Sequence, residues 1–180
     1  MDVLEYAKKH DFVTYSAMGN ADFIEFFKTI KINTAVEIGV YKGLGSAYIA
    51  QFAEKVHAFD IVDYPEKYKV WDDLGVSDKI SFYLVKSRFE GGIAKNFEGI
   101  HEVKGEVLDI KSILDALEFD WAFVDGEHNG YDFEEDWKLV KKCGRVLFHD
   151  VDPIRFPDLN KFAVSIGTKI TRNIGYWEAA

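Results

Sequence analysis

Short apolar runs alternate along the chain with segments whose apolar residues recur every three or four positions, a pattern that predicts strands exchanging with helices. TAVEI, from Thr34 to Ile38, reads as a buried strand; GVYKGLGS then supplies a glycine loop, and a helix follows from Ala47. The next apolar run, Val56 to Phe59, ends at Asp60. WAFVD (Trp121 to Asp125) and RVLFHD (ending at Asp150) are two further strands, and between them Phe133, Trp137 and Val140 line one face of a helix. Asp132, Glu134, Glu135 and Asp136 crowd the start of that helix, Lys138, Lys141 and Lys142 its end, and Gly144 stops it, as the helix dipole favours. Ahead of the first strand, Phe23, Phe26, Phe27 and Ile30 repeat at helical spacing behind a cap at Asn20.

Strands that alternate with helices imply right-handed crossovers around a parallel sheet. The expected fold is therefore a Rossmann-like, doubly wound α/β domain with a mostly parallel sheet, helices on both faces and a C-terminal edge strand or hairpin. Two segments compete for the third strand, KISFYLV (79–85) and IHEVKGEV (100–107). We prefer 100–107, because Asp109 then caps a helix whose Ile110, Ile113, Leu114 and Leu117 keep helical spacing. On that reading residues 1–180 are one domain: an N-terminal helical segment (1–33), a core (34–152) with an insertion near 63–99, and a C-terminal segment (153–180).

Composition narrows the function. With 48% hydrophobic and 16% aromatic residues, 180 positions can fill one core, and Trp71, Trp121, Trp137 and Trp177 are read as part of it. A formal charge of −9 repels a phosphate backbone and an anionic membrane surface, so neither nucleic acid nor membrane is an expected partner. Cys143 has no second cysteine to pair with, Met1 to His10 lacks the apolar run of a signal peptide, and no later run is long enough to span a bilayer. A cytoplasmic protein is expected.

Open parallel sheets bind ligands beyond the carboxyl ends of their strands, which here are closed by Glu37, Asp60, Asp125 and Asp150. Gly39, Gly43 and Gly45 can let a ligand approach the backbone, and the helix beginning near Ser46 offers amide hydrogens. Their G-x-x-x-G-x-G spacing is neither the dinucleotide fingerprint nor a phosphate-binding loop. At the end of the second strand, the two oxygens of Asp60 can accept both hydroxyls of a ribose, a reading that the preceding glycine loop favours over a solvated turn aspartate. Asp125 and Asp150, with His128 or His149, can converge on a hard divalent ion such as Mg²⁺, or can simply cap loop amides. His128 in GEHNG is either a general base or a loop histidine bonded to nearby backbone.

VEIGVYKG, FVDGEHNGYDFEEDW and GRVLFHD, spread over Thr34 to Asp152, together resemble the class I S-adenosylmethionine-dependent methyltransferases, in particular the small-molecule branch that includes sugar and other O-methyltransferases. The second motif is the most specific, since a strand that ends in an acidic DGxH turn and runs on into YDFEEDW is rarer than a glycine-rich loop. The resemblance implies that Glu37 and Gly39 line the methionine and ribose side of the cofactor, with Tyr41, Gly43 and Asp125 nearby. It further implies that Asp60 holds the ribose, that Glu106 and Val107 flank the adenine, and that His128 and Asp125 serve catalysis. Asp125, Asp150 and His149 are then the metal candidates. Two departures stand out: Tyr41 replaces the middle glycine of the commoner pattern, and His149, Asp150 and Val151 follow the fifth strand where relatives pair an acidic residue with Asp or Asn. The implied activity is methyl transfer from S-adenosylmethionine to an oxygen, or else a nitrogen, of a small-molecule acceptor such as a sugar hydroxyl. An NAD-dependent oxidoreductase using the same loop and Asp60, and a non-catalytic nucleotide-binding or assembly module, are the alternatives.

Overall fold

A strand covered on both faces has no partner for its backbone groups except another strand, and the apolar runs pair accordingly. In the computed structural model, which describes residues 3–10, 27–85, 108–126, 130–171 and 173–180, they form a seven-stranded sheet. β1 (Ile32–Ile38) lies at its centre, flanked in parallel by β2 (Ala53–Asp60) and β4 (Trp121–Val124), with Val36 opposite both His57 and Ala122. β3 (Ile80–Leu84) continues the sheet beyond β2, and β5 (Arg145–Phe148) beyond β4, both in parallel. β7 (Ile174–Glu178) runs antiparallel to β5 and carries β6 (Lys169–Thr171) on its outer side, so the order is β3-β2-β1-β4-β5-β7-β6. This is the expected Rossmann-like sheet with its C-terminal edge hairpin.

Alternation along each strand sends neighbouring side chains to opposite faces. Ala35, Phe123 and Leu147 pack with Tyr6 of α1 (Val3–Lys9), Ala47 of α2 (Leu44–Phe52) and Trp71 of α3 (Glu66–Leu74). Val36, Val124 and Phe148 pack with Leu114 of α4 (Ile110–Ala116), Phe133 of α5 (Gly130–Val140) and Leu159 of α6 (Pro157–Ser165). Burying one such large side chain stabilises by roughly 1.5–3 kcal/mol, against a net of roughly 0.5–1.5 kcal/mol for a hydrogen bond, so the two apolar layers dominate. Of the expected N-terminal apolar face, Phe27 is buried against Tyr48 and Phe52 and Ile30 packs partly buried against the same core, whereas Phe23 and Phe26 lie outside the described residues.

The choice of third strand is corrected. The strand hydrogen-bonded to β2 is Ile80–Leu84, within the segment read as an insertion, and residues 100–107 lie outside the described residues. Periodicity did not separate the two candidates, because both are short segments that a strand can accommodate, and the Asp109 cap downstream decided the choice. The cap that motivated the wrong choice is nonetheless real: the Asp109 carboxylate accepts from the Ser112 amide at 3.0 Å and starts α4, and Leu108 reaches the sheet through a parallel bridge to Val85.

From β1 the chain winds outward to β3, then returns to the far side of β1 as β4, so the crevice between the carboxyl ends of β1 and β4 is the switch point where such sheets bind ligands. Glu37 lies just below it, 1% exposed. The Ser46 hydroxyl of α2 donates to one of its carboxylate oxygens, and the other presses on Gly45, where a Cβ would overlap it. Burial raises Glu37 well above the usual carboxylate range; Ser46 pulls the other way, and the fields of Asp125 and Asp60 add to the rise. A carboxyl raised in the folded state favours folding below its ordinary value near 4.5 and costs stability as pH climbs from there through the raised value. Glu37→Gln, which keeps an acceptor for Ser46, is therefore expected to be more stable than the wild type at neutral pH, on the order of 1 kcal/mol, and to match it near pH 4. Urea midpoints at both pH values measure the difference; a gap that stays constant with pH would refute the assignment.

Candidate functional site

Two strand ends are locked together at the switch point. The Asp125 amide donates to the Ile38 carbonyl at 2.8 Å, and the Gly39 amide donates to that of Phe59 at 2.9 Å. Gly39 has φ 91°, and a Cβ there would overlap the Asp125 carbonyl, so only glycine lets the β1 loop pass over the end of β4. The other two glycines likewise make room for protein. A Cβ on Gly43 would come within 2.6 Å of Lys67 Cβ and 2.7 Å of the Trp71 indole nitrogen, which donates to the Gly43 carbonyl at 2.8 Å. Gly45, as described above, clears Glu37.

Asp60 organises the loop from the next strand. Its Oδ2 accepts the amides of Val40 and Tyr41, each at 2.8 Å, and its Oδ1 accepts that of Val62 at 3.0 Å. These bonds hold Tyr41 at φ 49°, the left-handed conformation that a glycine would adopt freely, which accounts for the backbone path at the departure from the commoner motif. A carboxylate offers about four lone-pair positions, so three amides leave one for a ligand hydroxyl. The Tyr41 side chain, 38% exposed, meets the Tyr64 ring edge-on at 5.0 Å beside Asp60. α2 begins at Leu44 with no side chain capping its first amides.

Across the crevice, Asp125 and Asp150 converge on His149. Nδ1 of the ring lies 2.8 Å from Asp125 Oδ1 and 3.4 Å from Asp150 Oδ2. Burial disfavours a charge on this ring, but the two carboxylates outweigh it and push His149 up to about 10. Beside this cluster lies Asn173, which the sequence reading missed. Its side-chain nitrogen donates to Asp150 Oδ1 at 2.8 Å and sits 3.2 Å from His149 Nε2. Asp150 itself has φ 57°. Donor atoms of Asp125, His149 and Asp150 lie within 4.8 Å of one another, and two carboxylates with an imidazole are a donor set that a divalent ion accepts.

The structure thus brings Glu37, Gly39, Tyr41, Gly43, Asp60, Asp125, His149 and Asp150 to one end of the sheet. Glu106, Val107 and His128 lie outside the described residues. Nothing in the tail motif TRNIGYWEA marks Asn173; its partners are more than twenty positions away, and only the pairing of β7 with β5 brings it in.

A family model described as a methyltransferase domain matches residues 36–151, the span that carries every predicted site residue. Among solved structures, cofactor-bound Rv0187 from MTB aligns with a TM-score of 0.63 at 12% identity, over 98% of this chain and 88% of that one. The O-methyltransferase from Bacillus cereus in complex with SAH aligns with a TM-score of 0.61 at 11% identity, over 98% and 89%. TomG, the O-methyltransferase from Streptomyces achromogenes involved in tomaymycin synthesis, solved with SAM, gives 0.54 at 14% identity, over 83% and 74%. At these identities the likeness is one of fold. No curated protein matches. No helix among the described residues is long and apolar enough to cross a membrane. With its glycine loop, acidic strand ends and a family match over well more than half its length, this chain belongs to the S-adenosylmethionine-dependent methyltransferases.

Proposed function

We propose that the protein transfers a methyl group from S-adenosylmethionine to an oxygen nucleophile on a small molecule, a sugar hydroxyl being one candidate, and that it acts in the cytoplasm. The observation that carries this reading is Asp60, which shapes the β1 loop through three amides and keeps acceptor capacity for a ribose hydroxyl at the end of β2. When bound, S-adenosylmethionine supplies an electrophilic methyl group on a sulfonium that is already a good leaving group. The chain's work is then to hold donor and acceptor in line and to take up the acceptor's proton. Gly39, Tyr41 and Gly43 shape the loop beside the cofactor, Glu37 supports it from beneath, Asp60 holds the ribose, Asp125 lies at the methionine side, and Glu106 and Val107 flank the adenine.

Saturating S-adenosylhomocysteine, at about a hundred times its Kd, is expected to stabilise the fold by about 2.7 kcal/mol, read as a rise in melting temperature, while NADH has no effect. Asp60→Ala is expected to abolish most of that rise. A shift with NADH alone would select an oxidoreductase, and an undiminished response in Asp60→Ala would remove the ribose assignment.

A divalent ion at Asp125, His149 and Asp150 is a second reading, favoured by the convergence of these three donors. Calorimetry with Mn²⁺ is expected to show one site in the wild type and none in Asp125→Asn; full activity after exhaustive chelation would dismiss the ion.

His128 is proposed as the acceptor's general base, because it follows the end of β4 by only a few residues. His128→Ala is expected to leave S-adenosylhomocysteine affinity intact and to slow single-turnover transfer to a high-pKa hydroxyl by about a hundredfold. Wild-type turnover in that variant would return His128 to a structural role.

A further inference from the structure

We propose that Lys67, a buried lysine in the first turn of α3, is a positioning residue for cofactor binding: it clamps the loop after β2 so that the ring of Tyr64 stands with that of Tyr41 as one wall of the ribose site beside Asp60. The inference rests on the reading of this crevice as the S-adenosylmethionine site, and it adds Tyr64 and Lys67 to that site.

The Lys67 side chain has no solvent exposure, whereas that of Asp63, its ion-pair partner, is 36% exposed. Around the ammonium, the centroid of the Phe82 ring lies at 3.8 Å and that of Tyr68 at 4.5 Å. Taking an ammonium out of water is costly, and an apolar side chain of similar length would fill the same cage without that cost. The charge is accounted for by what it holds. Nζ donates to the Asp63 carboxylate and, at 3.0 Å, to the Tyr64 carbonyl, which also accepts the Lys67 amide at 3.3 Å. One side chain thus grips two successive residues of the loop, while Asp60 holds its other end through the Val62 amide at 3.0 Å. Lys67 also backs onto the loop after β1. Its Cβ fills the space that a Cβ on Gly43 would need, and Trp71, one turn further along α3, donates to the Gly43 carbonyl. The two loops are therefore set against each other by one face of α3.

The consequence lies at the crevice. Tyr64, half-buried, meets the exposed Tyr41 ring at 5.0 Å and 72°, so the two rings form a corner rather than a stack. Both loops are tied to Asp60, which sets this corner next to the acceptor position left on its carboxylate. Ligand sites pair a few fixed polar groups with apolar surface. Here Asp60 serves the ribose hydroxyls, and the rings offer the apolar surface against which the carbon face of the sugar packs.

Calorimetry with S-adenosylhomocysteine on the full chain tests the proposal. Tyr64→Ala is expected to weaken binding about tenfold, and Tyr64→Phe, which keeps the ring, to restore it. Lys67→Met keeps length and packing while removing the ammonium, and it leaves Asp63 to water rather than stranding a buried charge. It is expected to fold with a urea midpoint no lower than that of the wild type, yet to weaken binding about as much as Tyr64→Ala. The double variant is expected to bind no more weakly than Tyr64→Ala alone, because Lys67 acts through Tyr64. Undiminished affinity in Lys67→Met, additive losses in the double variant, or a Lys67→Met that fails to fold each overturns the positioning role. In the wild type, intermolecular NOEs are expected from the Tyr64 ring, assigned by Tyr64→Phe, to the ribose protons of bound S-adenosylhomocysteine; their absence overturns the contact whatever the variants do. Absence of binding to the wild type would overturn the transferase reading itself, whereas binding without those NOEs would overturn only the roles of Tyr64 and Lys67.

Discussion

One carboxylate sets the architecture of the crevice. Asp60 reaches from the end of β2 to the amides of Val40 and Tyr41 and returns to that of Val62, so the loops that follow β1 and β2 share a single anchor. A charged acceptor taking several backbone hydrogens binds each more strongly than a neutral carbonyl would, and it satisfies amides that a tight loop leaves unpaired. Removing it would free the loop that Gly39 threads past Asp125 and that Tyr41 completes in a left-handed turn.

That anchor belongs to a set of four acids gathered at one end of a protein that already carries a charge of −9. Each is made tolerable in its own way. Glu37 is buried and driven toward its neutral form, with Ser46 as its partner. Asp60 is neutralised by backbone dipoles, while Asp125 and Asp150 share His149 and, through it, Asn173. The carboxylates of Asp60, Asp125 and Asp150 surround the crevice with acceptor oxygens, a field that suits a sulfonium cation and disfavours the pyrophosphate of a dinucleotide, in keeping with the proposed cofactor.

Much of this was legible in the sequence. Strand ends could be read because buried parallel strands are apolar until they surface, so Glu37, Asp60, Asp125 and Asp150 mark the places where the chain leaves the core. Asp109 was legible as a cap because capping is local. The glycines were legible as necessary but not in their purpose, since the atoms they avoid belong to Asp125, Lys67, Trp71 and Glu37, all far from them in the chain or on another element. β3 was misplaced because a short apolar run such as FYLV does not by itself announce a sheet strand, so the Asp109 cap downstream decided for its rival. Asn173 was invisible because its role is created entirely by tertiary pairing.

The hairpin also bears on how the molecule assembles. Within the described sheet β6 has β7 as its sole neighbour, so it gains no ladder until β7 has been formed and folded back. A local hairpin closes in microseconds, whereas joining β5 requires it to dock against a strand on the far side of α6. Hairpin and parallel core are thus suited to be separate cooperative units, and partial opening of the molecule would begin at this seam. The contacts of Asn173 with His149 and Asp150 straddle the seam, so they form only on docking and are the first thing surrendered when the edge detaches.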